Sequence, residues 1–345
     1  MRCACFGLAC LALLVAGAAA PADEVRFGVS ALHAESVPLA ESGAGWYLNW
    51  TERPAPGVAL EFVPMACAHP DREPVTAEAI AALARDVAAQ RERYPAGTLW
   101  VIGDEIGYRP QHDSRPPERY ARDFRDCRAA LLAVDPSFRI ATGPILLSPS
   151  PDVVSEYAGA RGGLAYLDAV LAAYRRLYGT ELPSDYVAAT ADVASGDGTN
   201  LAAFREQIVA LRRFLAERGL QHRRVVITEF GAAIGRPAPD DVLRFLAGAT
   251  DFLATARDDA LGCPEDEGRL VQRFAWFTAH PAGLLETFHR LGLGALTVHL
   301  AETSLFDREG ALTPLGRAYA AAVAKTAPSR PSQADTSRAA RSPER

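Results

Sequence analysis

Two kinds of apolar run alternate along this chain. Short, dense ones predict strands: VRFGVS (25–30), GWYLNW (45–50), ALEFVPMA (59–66), TLWVIGDE (98–105), RIATGPI (139–145), DYVAATADV (185–193), RVVITEFG (224–231) and QRFAWFTA (272–279). A ninth apolar stretch, ALTVHLAE, covers 295–302. Longer segments with helical spacing separate them. The segment 76–94 opens on Thr76 and Glu78 and carries an apolar stripe, and 116–134 has Pro in its first turn and stops before Asp135–Pro136. Segments 164–179 and 201–219 end in Gly, and 239–256 and 313–325 complete the set. Several strands are apolar without alternation, as in strands buried on both faces, so the β–α repetition predicts a parallel sheet covered by helices. Eight strands over roughly 300 residues suit an α/β fold of the (β/α)8 TIM-barrel kind. No glycine-rich phosphate loop follows the first strand, which removes the main reason to prefer an open nucleotide-binding sheet. The links 31–44 and 51–58 are too short for full helices, and the ninth stretch is expected in a hairpin with SLFDREGALTP beside the closing strand.

The ends of the chain differ from its middle. Residues 1–22 pair Arg2 with an apolar run and then small residues, and Ala20 and Ala22 form an A-x-A cleavage pattern. This predicts a signal peptide, since the run is short for a membrane span; an uncleaved anchor is the alternative. A domain over 23–326 follows, and the Pro-, Ser-, Arg- and Ala-rich tail 327–345 is expected to be disordered. The expected location is therefore secreted or periplasmic, as a monomer with no membrane association after cleavage. Of six cysteines, Cys3, Cys5 and Cys10 leave with the peptide. Cys67, Cys127 and Cys263 remain, compatible with one disulfide and one thiol or with three thiols. No C-x-x-C or H-x-x-x-H spacing occurs, so neither a metal nor another cofactor is expected. With 49% apolar and 23% charged residues and a net charge of −6, the chain is an ordinary globular one without a basic surface for nucleic acid.

In a barrel of this kind the working face lies at the carboxyl ends of the strands. There the sequence puts Asp104 and Glu105, Glu229, the aromatic and amide group Trp46, Tyr47, Asn49 and Trp50, then His69, and Trp276. Two carboxyl groups delivered by separate strands are what cleavage of a glycosidic bond requires, one to protonate the leaving oxygen and one to attack or to activate water. Aromatic rings beside them suit the apolar faces of sugars, so an oligo- or polysaccharide is the expected partner. Because Trp46, Leu48 and Trp50 alternate with Tyr47 and Asn49, only one of these sets can face the barrel interior. His112 and Asp113 in RPQHD are polar enough for a metal, but a solvated loop is the favoured reading. Asn49–Trp50–Thr51 matches a glycosylation sequon near the expected mouth. The G-x-S-x-G of a serine hydrolase is absent.

Taken in order, GWYLNW, FVPMACA, LWVIGDE, VVITEFG and LVQRFAWF resemble the clan A glycoside hydrolases, and more narrowly the asl1-like catalytic domains and their bacterial relatives. The resemblance runs from about residue 25 to 325 and implies Glu105 as acid/base and Glu229 as nucleophile of a retaining mechanism on a β-glucan-like glycan, with the carboxyl groups roughly 5–5.5 Å apart. The chain departs from that pattern. Asp104 stands where the family has Asn, Ile106 where it has Pro, and the sixth strand offers Ala188–Ala189–Thr190–Ala191–Asp192 where relatives carry His or rings. An ionised Asp104 only accepts hydrogen bonds and sets a second negative charge beside Glu105. These departures motivate an alternative, a catalytically impaired barrel that binds glycan without cutting it.

Overall fold

A computed structural model describes residues 26–108, 113–147, 162–192, 199–232, 237–284, 286–287 and 300–326. The expected signal peptide, the expected tail, His112 and most of the ninth apolar stretch lie outside the described residues. The strands are Phe27–Ser30 (β1), Trp46–Leu48 (β2), Glu61–Phe62 (β3), Met65–Ala66 (β4), Leu99–Ile102 (β5), Arg139–Thr142 (β6), Ile145–Leu146 (β7), Tyr186–Asp192 (β8), Arg224–Gly231 (β9) and Arg273–Phe277 (β10). The helices are Ala77–Ala89 (α1), Pro117–Val134 (α2), Gly162–Tyr178 (α3), Leu201–Glu217 (α4), Pro239–Thr255 (α5), Leu300–Thr303 (α6) and Pro314–Thr326 (α7). Thr76 caps α1 by accepting from Ala79 N, and Asn200 caps α4 by accepting from Ala203 N. The link 31–44 contains only two single-turn helices, as its length requires.

The strands pair in parallel, in the order β3-β2-β1-β10-β9-β8-β6-β5-β4, with β7 also on β8. The two ends of this path are halves of one predicted strand, 59–66, parted by Val63–Pro64. Pro64 has no N–H to give to the ladder, and the break falls there. Val63 N still donates to Tyr47 O on one side, while Pro64 O accepts from Val101 N on the other. This stretch therefore bridges both edges of the sheet.

Alternation along the strands divides the buried side chains into two clusters. Trp46, Leu48, Met65, Val101, Ala188 and Ala275 belong to the smaller, enclosed by the strands. Tyr47, Trp100, Ile102, Ile227, Phe274 and Trp276 belong to the larger, which the helices cover. Tyr319 of α7 donates its hydroxyl to Gly28 O at 2.6 Å, fixing that helix on β1. The Trp46 indole fills the amino end of the interior, with Nε1 donating to Arg26 O and the Arg273 guanidinium 4.7 Å above its ring. A methyl group on Gly28 would lie 2.2 Å from that ring. Gly28→Ala is thus expected to cost about 2–3 kcal/mol of stability in urea unfolding with the slope unchanged.

The ninth apolar stretch departs from expectation. Its described part, Leu300–Glu302, lies in α6 and is helical, not extended. The backbone that does line up beside the end of β10 is Leu305–Phe306, donating to Thr278 O and Ala279 O, and the turn closes through a Phe306–Leu312 bridge.

Candidate active site

The carboxyl end of β5 is held as a framework. Gly103 N donates to Ala66 O at 2.7 Å, and Ile106 N donates to Pro144 O at 2.9 Å. Proline at 106 would forfeit that second bond, which gives the departure from the family pattern a local reason. The Ile106 side chain fills the space beside Gly103 and Gly143, where added methyl groups would meet it at 2.7 and 2.4 Å. Tyr120 of α2 donates to Ile102 O and accepts from Gly143 N, both at 2.8 Å, lashing the ends of β5 and β6 together. Between these ties Glu105 is buried at φ 36°, a left-handed backbone that a non-glycine residue adopts at a cost and that recurs at functional sites.

Glu229 reaches the same end by a different device. On β9, Val226 faces inward and Ile227 outward, so strict alternation would turn Glu229 toward the helices. The register slips instead. Ile227 pairs with Ala189 and Glu229 with the next residue, Thr190, leaving Thr228 as the extra residue of a bulge; the ladder to β10 slips at the same place. The bulge re-aims the carboxyl group, and Trp50 Nε1 donates to Glu229 Oε1 at 2.7 Å. Phe277, on the inward side of β10 by parity with Ala275, meets the Trp50 ring edge-on at 5.9 Å.

Asp104 completes the arrangement. Its carboxyl group is fully buried and is held well above the usual carboxylate range, first by loss of solvation, then by the nearby charges of Glu229 and Asp113. The Glu105 backbone N–H opposes this only in part. The net effect favours the protonated form, in which Asp104 carries a hydroxyl that can donate, whereas the ionised form can only accept. Asp113 is no solvated loop residue. It is fully buried and grips Arg115 with both oxygens, at 3.0 and 2.5 Å, while Arg115 also reaches Asp123 at 3.3 Å. No cluster of metal-ligating side chains occurs among the described residues. Asp104 Oδ1 and Thr190 Oγ1, both buried, have no hydrogen-bond partner among the described residues. Thr190 pairs with Glu229 in the ladder, so both open polar atoms lie beside that carboxylate.

The other sequence candidates divide. Trp50 and His69 line a cleft of about 530 Å³ together with Arg53, Cys67 and Glu73. Four expected mouth residues are elsewhere. Trp46 is at the amino end of the interior. Tyr47 faces the helical layer, its hydroxyl accepting from Ala55 N, beside a larger hollow of about 980 Å³ at the amino ends of β3, β5 and β6. Asn49 braces the following turn through Arg53 O, Thr51 N and Thr51 Oγ1. Trp276 is outward by the parity of β10, packed on Phe230 and Phe245 with Nε1 on Thr303 O. Phe277, Thr190 and Arg115 are not among the site residues read from sequence, and Asp113 is considered there only as a metal ligand in a solvated loop. The parity of RFAWF could have exchanged Trp276 for Phe277, but nothing local announces Thr190 or Arg115.

Solved structures of similar architecture include glycosidases. A subgroup I GH128 endo-beta-1,3-glucanase from Amycolatopsis mediterranei, in complex with laminaritriose, aligns with a TM-score of 0.53 at 20% identity over 86% of this chain and 99% of that one. A glucosidase from Croceicoccus marinus aligns at 0.60 with 13% identity, over 89% of this chain and 69% of the other. A family 39 glycoside hydrolase from Bacteroides cellulosilyticus aligns at 0.51 with 12% identity, over 87% and 63%. The chain shares the fold of these three enzymes. At the level of sequence, no protein-family model and no curated protein matches the chain.

The bond from Trp50 is the most exposed to test. A hydrogen bond to a charged group is worth about 1.5–3 kcal/mol, so Trp50→Phe is expected to lower kcat/KM on a scissile glycan by about 10–100-fold. Circular dichroism should be unchanged, and equal turnover by the variant would remove Trp50 from the site.

Proposed function

We propose that this chain is a secreted or periplasmic retaining glycoside hydrolase that acts as a monomer on β-linked glucans, with a (β/α)8 barrel over 23–326 and the asl1-like motifs as its site. The observation that carries the reading is the environment of Glu229. A bulge turns it inward, the Trp50 N–H holds one oxygen, and the buried carboxyl group of Asp104, raised in pKa by burial and by Glu229, stands beside it, at the carboxyl ends of β2, β5 and β9. The laminari-oligosaccharides bound by the Amycolatopsis enzyme support β-1,3-glucan as the first substrate to try.

In the first step Glu105, as a carboxylic acid, gives its proton to the glycosidic oxygen while the Glu229 carboxylate attacks the anomeric carbon. The C–O bond breaks, the alcohol leaves, and a glycosyl ester forms on Glu229. In the second step Glu105, now a carboxylate, takes a proton from water, whose oxygen attacks the same carbon and frees Glu229. The Asp104 hydroxyl donates toward the sugar hydroxyl next to the reacting carbon, or toward Glu229 itself, as the family's Asn would. The Trp50 N–H keeps Glu229 pointed without neutralising it.

An activated 2-deoxy-2-fluoro glucoside tests this reading, because the fluorine slows both steps and the activated leaving group restores only the first. The expected result is a stable adduct on the peptide containing Glu229 and loss of turnover in proportion. Binding to a glycan panel with neither labelling nor hydrolysis would replace the enzyme with a glycan-binding barrel.

A further inference from the structure

Cys67 follows β4 on the wall of the 530 Å³ cleft, and Cys127 lies fully buried on α2. Far apart in sequence, their Sγ atoms are 2.9 Å apart, inside the contact distance of two unbonded sulfurs. Cys263, the remaining described cysteine, faces His222 O and Glu265 instead. We propose that Cys67 and Cys127 are a disulfide-forming pair, with glutathione disulfide or an equivalent disulfide as oxidant and the cleft as its entry.

The two thiols have complementary roles. Cys67 is partly exposed and lines the cleft, and the bond it makes with Cys127, aided by the Arg115 charge, holds its thiol below the usual range. Cys127 is pushed well above it by that same bond and by burial. The Cys67 thiolate attacks one sulfur of glutathione disulfide, forming a mixed disulfide and releasing glutathione thiolate. Cys127 then loses its proton and attacks the Cys67 sulfur, expelling the second glutathione. Two protein thiols are oxidised, one glutathione disulfide is reduced to two thiols, and the two protons go to those leaving groups. The sulfurs need only close the remaining gap, so the bond asks little of the backbone. It ties the cleft wall beside Trp50 and His69 to α2, the helix that also holds the end of β5 through Tyr120. This inference stands apart from the glycosidase reading, since it rests on the cysteines alone.

The test equilibrates the full chain with glutathione disulfide, alkylates remaining thiols in denaturant and maps peptides by mass spectrometry. The expected result is one peptide pair joining Cys67 to Cys127, two hydrogen masses lighter than its parts, with Cys263 alkylated. Breaking the bond with a reductant should lower Tm by roughly 5–10 °C. In Cys127→Ser the second attack is impossible, so Cys67 should retain one glutathione. The proposal is overturned if both cysteines are alkylated after equilibration, if either is joined to Cys263, or if Cys127→Ser takes up no glutathione.

Discussion

Glu229→Gln is expected to lower kcat on a β-1,3-glucan oligosaccharide by about 1,000-fold or more while glycan affinity changes by no more than a few fold. The amide keeps an oxygen that accepts from Trp50 Nε1, so the pocket is retained. What it lacks is the negative oxygen that forms the glycosyl ester, and with it both steps fail. Turnover measured by reducing ends, with binding by calorimetry, separates these two effects. Small added nucleophiles give a second readout. With Glu229→Ala, azide has room to attack the anomeric carbon of a β-glycoside with an activated leaving group from the vacated side and should yield a glycosyl azide of inverted configuration. A Glu229→Gln variant retaining a tenth of wild-type turnover would exclude this residue as the nucleophile.

Asp104→Asn is expected to be active and more stable than the parent above about pH 4, the opposite of what loss of a catalytic carboxylate would cause. The sign follows from its environment. Burial, Glu229 and Asp113 raise the folded-state pKa, so between the unfolded value of about 3.9 and the folded value the native protein holds a proton that the unfolded chain has released. Stability from this group is complete below that window and is lost as pH rises through the folded value. Each tenfold difference in proton affinity is worth about 1.4 kcal/mol, and the amide carries no such penalty. Thermal unfolding should therefore show parent and variant converging near pH 4 and separating as pH increases. Activity carries an independent signature. Ionisation of Asp104 removes a donor and sets a like charge against Glu229, so kcat/KM of the parent should decline on the alkaline side. Asparagine has no proton to lose, which moves that decline upward in pH. Asp104→Ala, with no donor, should lose about 100-fold at every pH. A folded but inactive Asp104→Asn, or a stability difference that does not grow with pH, would contradict a neutral Asp104.

Much of this protein is written in short-range pattern. The apolar runs placed the strands at Phe27–Ser30, Leu99–Ile102 and Arg224–Gly231, and the helical stripes placed α1 through α5, because burial on one or both faces imposes a period that needs no knowledge of the neighbours. Motif order was enough to bring Glu105, Glu229, Trp50 and His69 to the carboxyl ends of their strands. Which way a side chain turns at a strand end was decided elsewhere. Trp46 and Trp276 are as aromatic as Trp50, yet one sits at the far end of the interior and the other under α5. Parity along the strand and the sheet's closure through Val63–Pro64 chose between them. The Thr228 bulge that turns Glu229 inward is a mismatch in length between neighbouring strands, so it exists only once β8 and β10 lie beside β9. The upward shift of Asp104 belongs to the tertiary structure for the same reason. A carboxyl group in an isolated peptide is ionised in neutral water, and only burial against Glu229 and Asp113 raises its affinity for a proton.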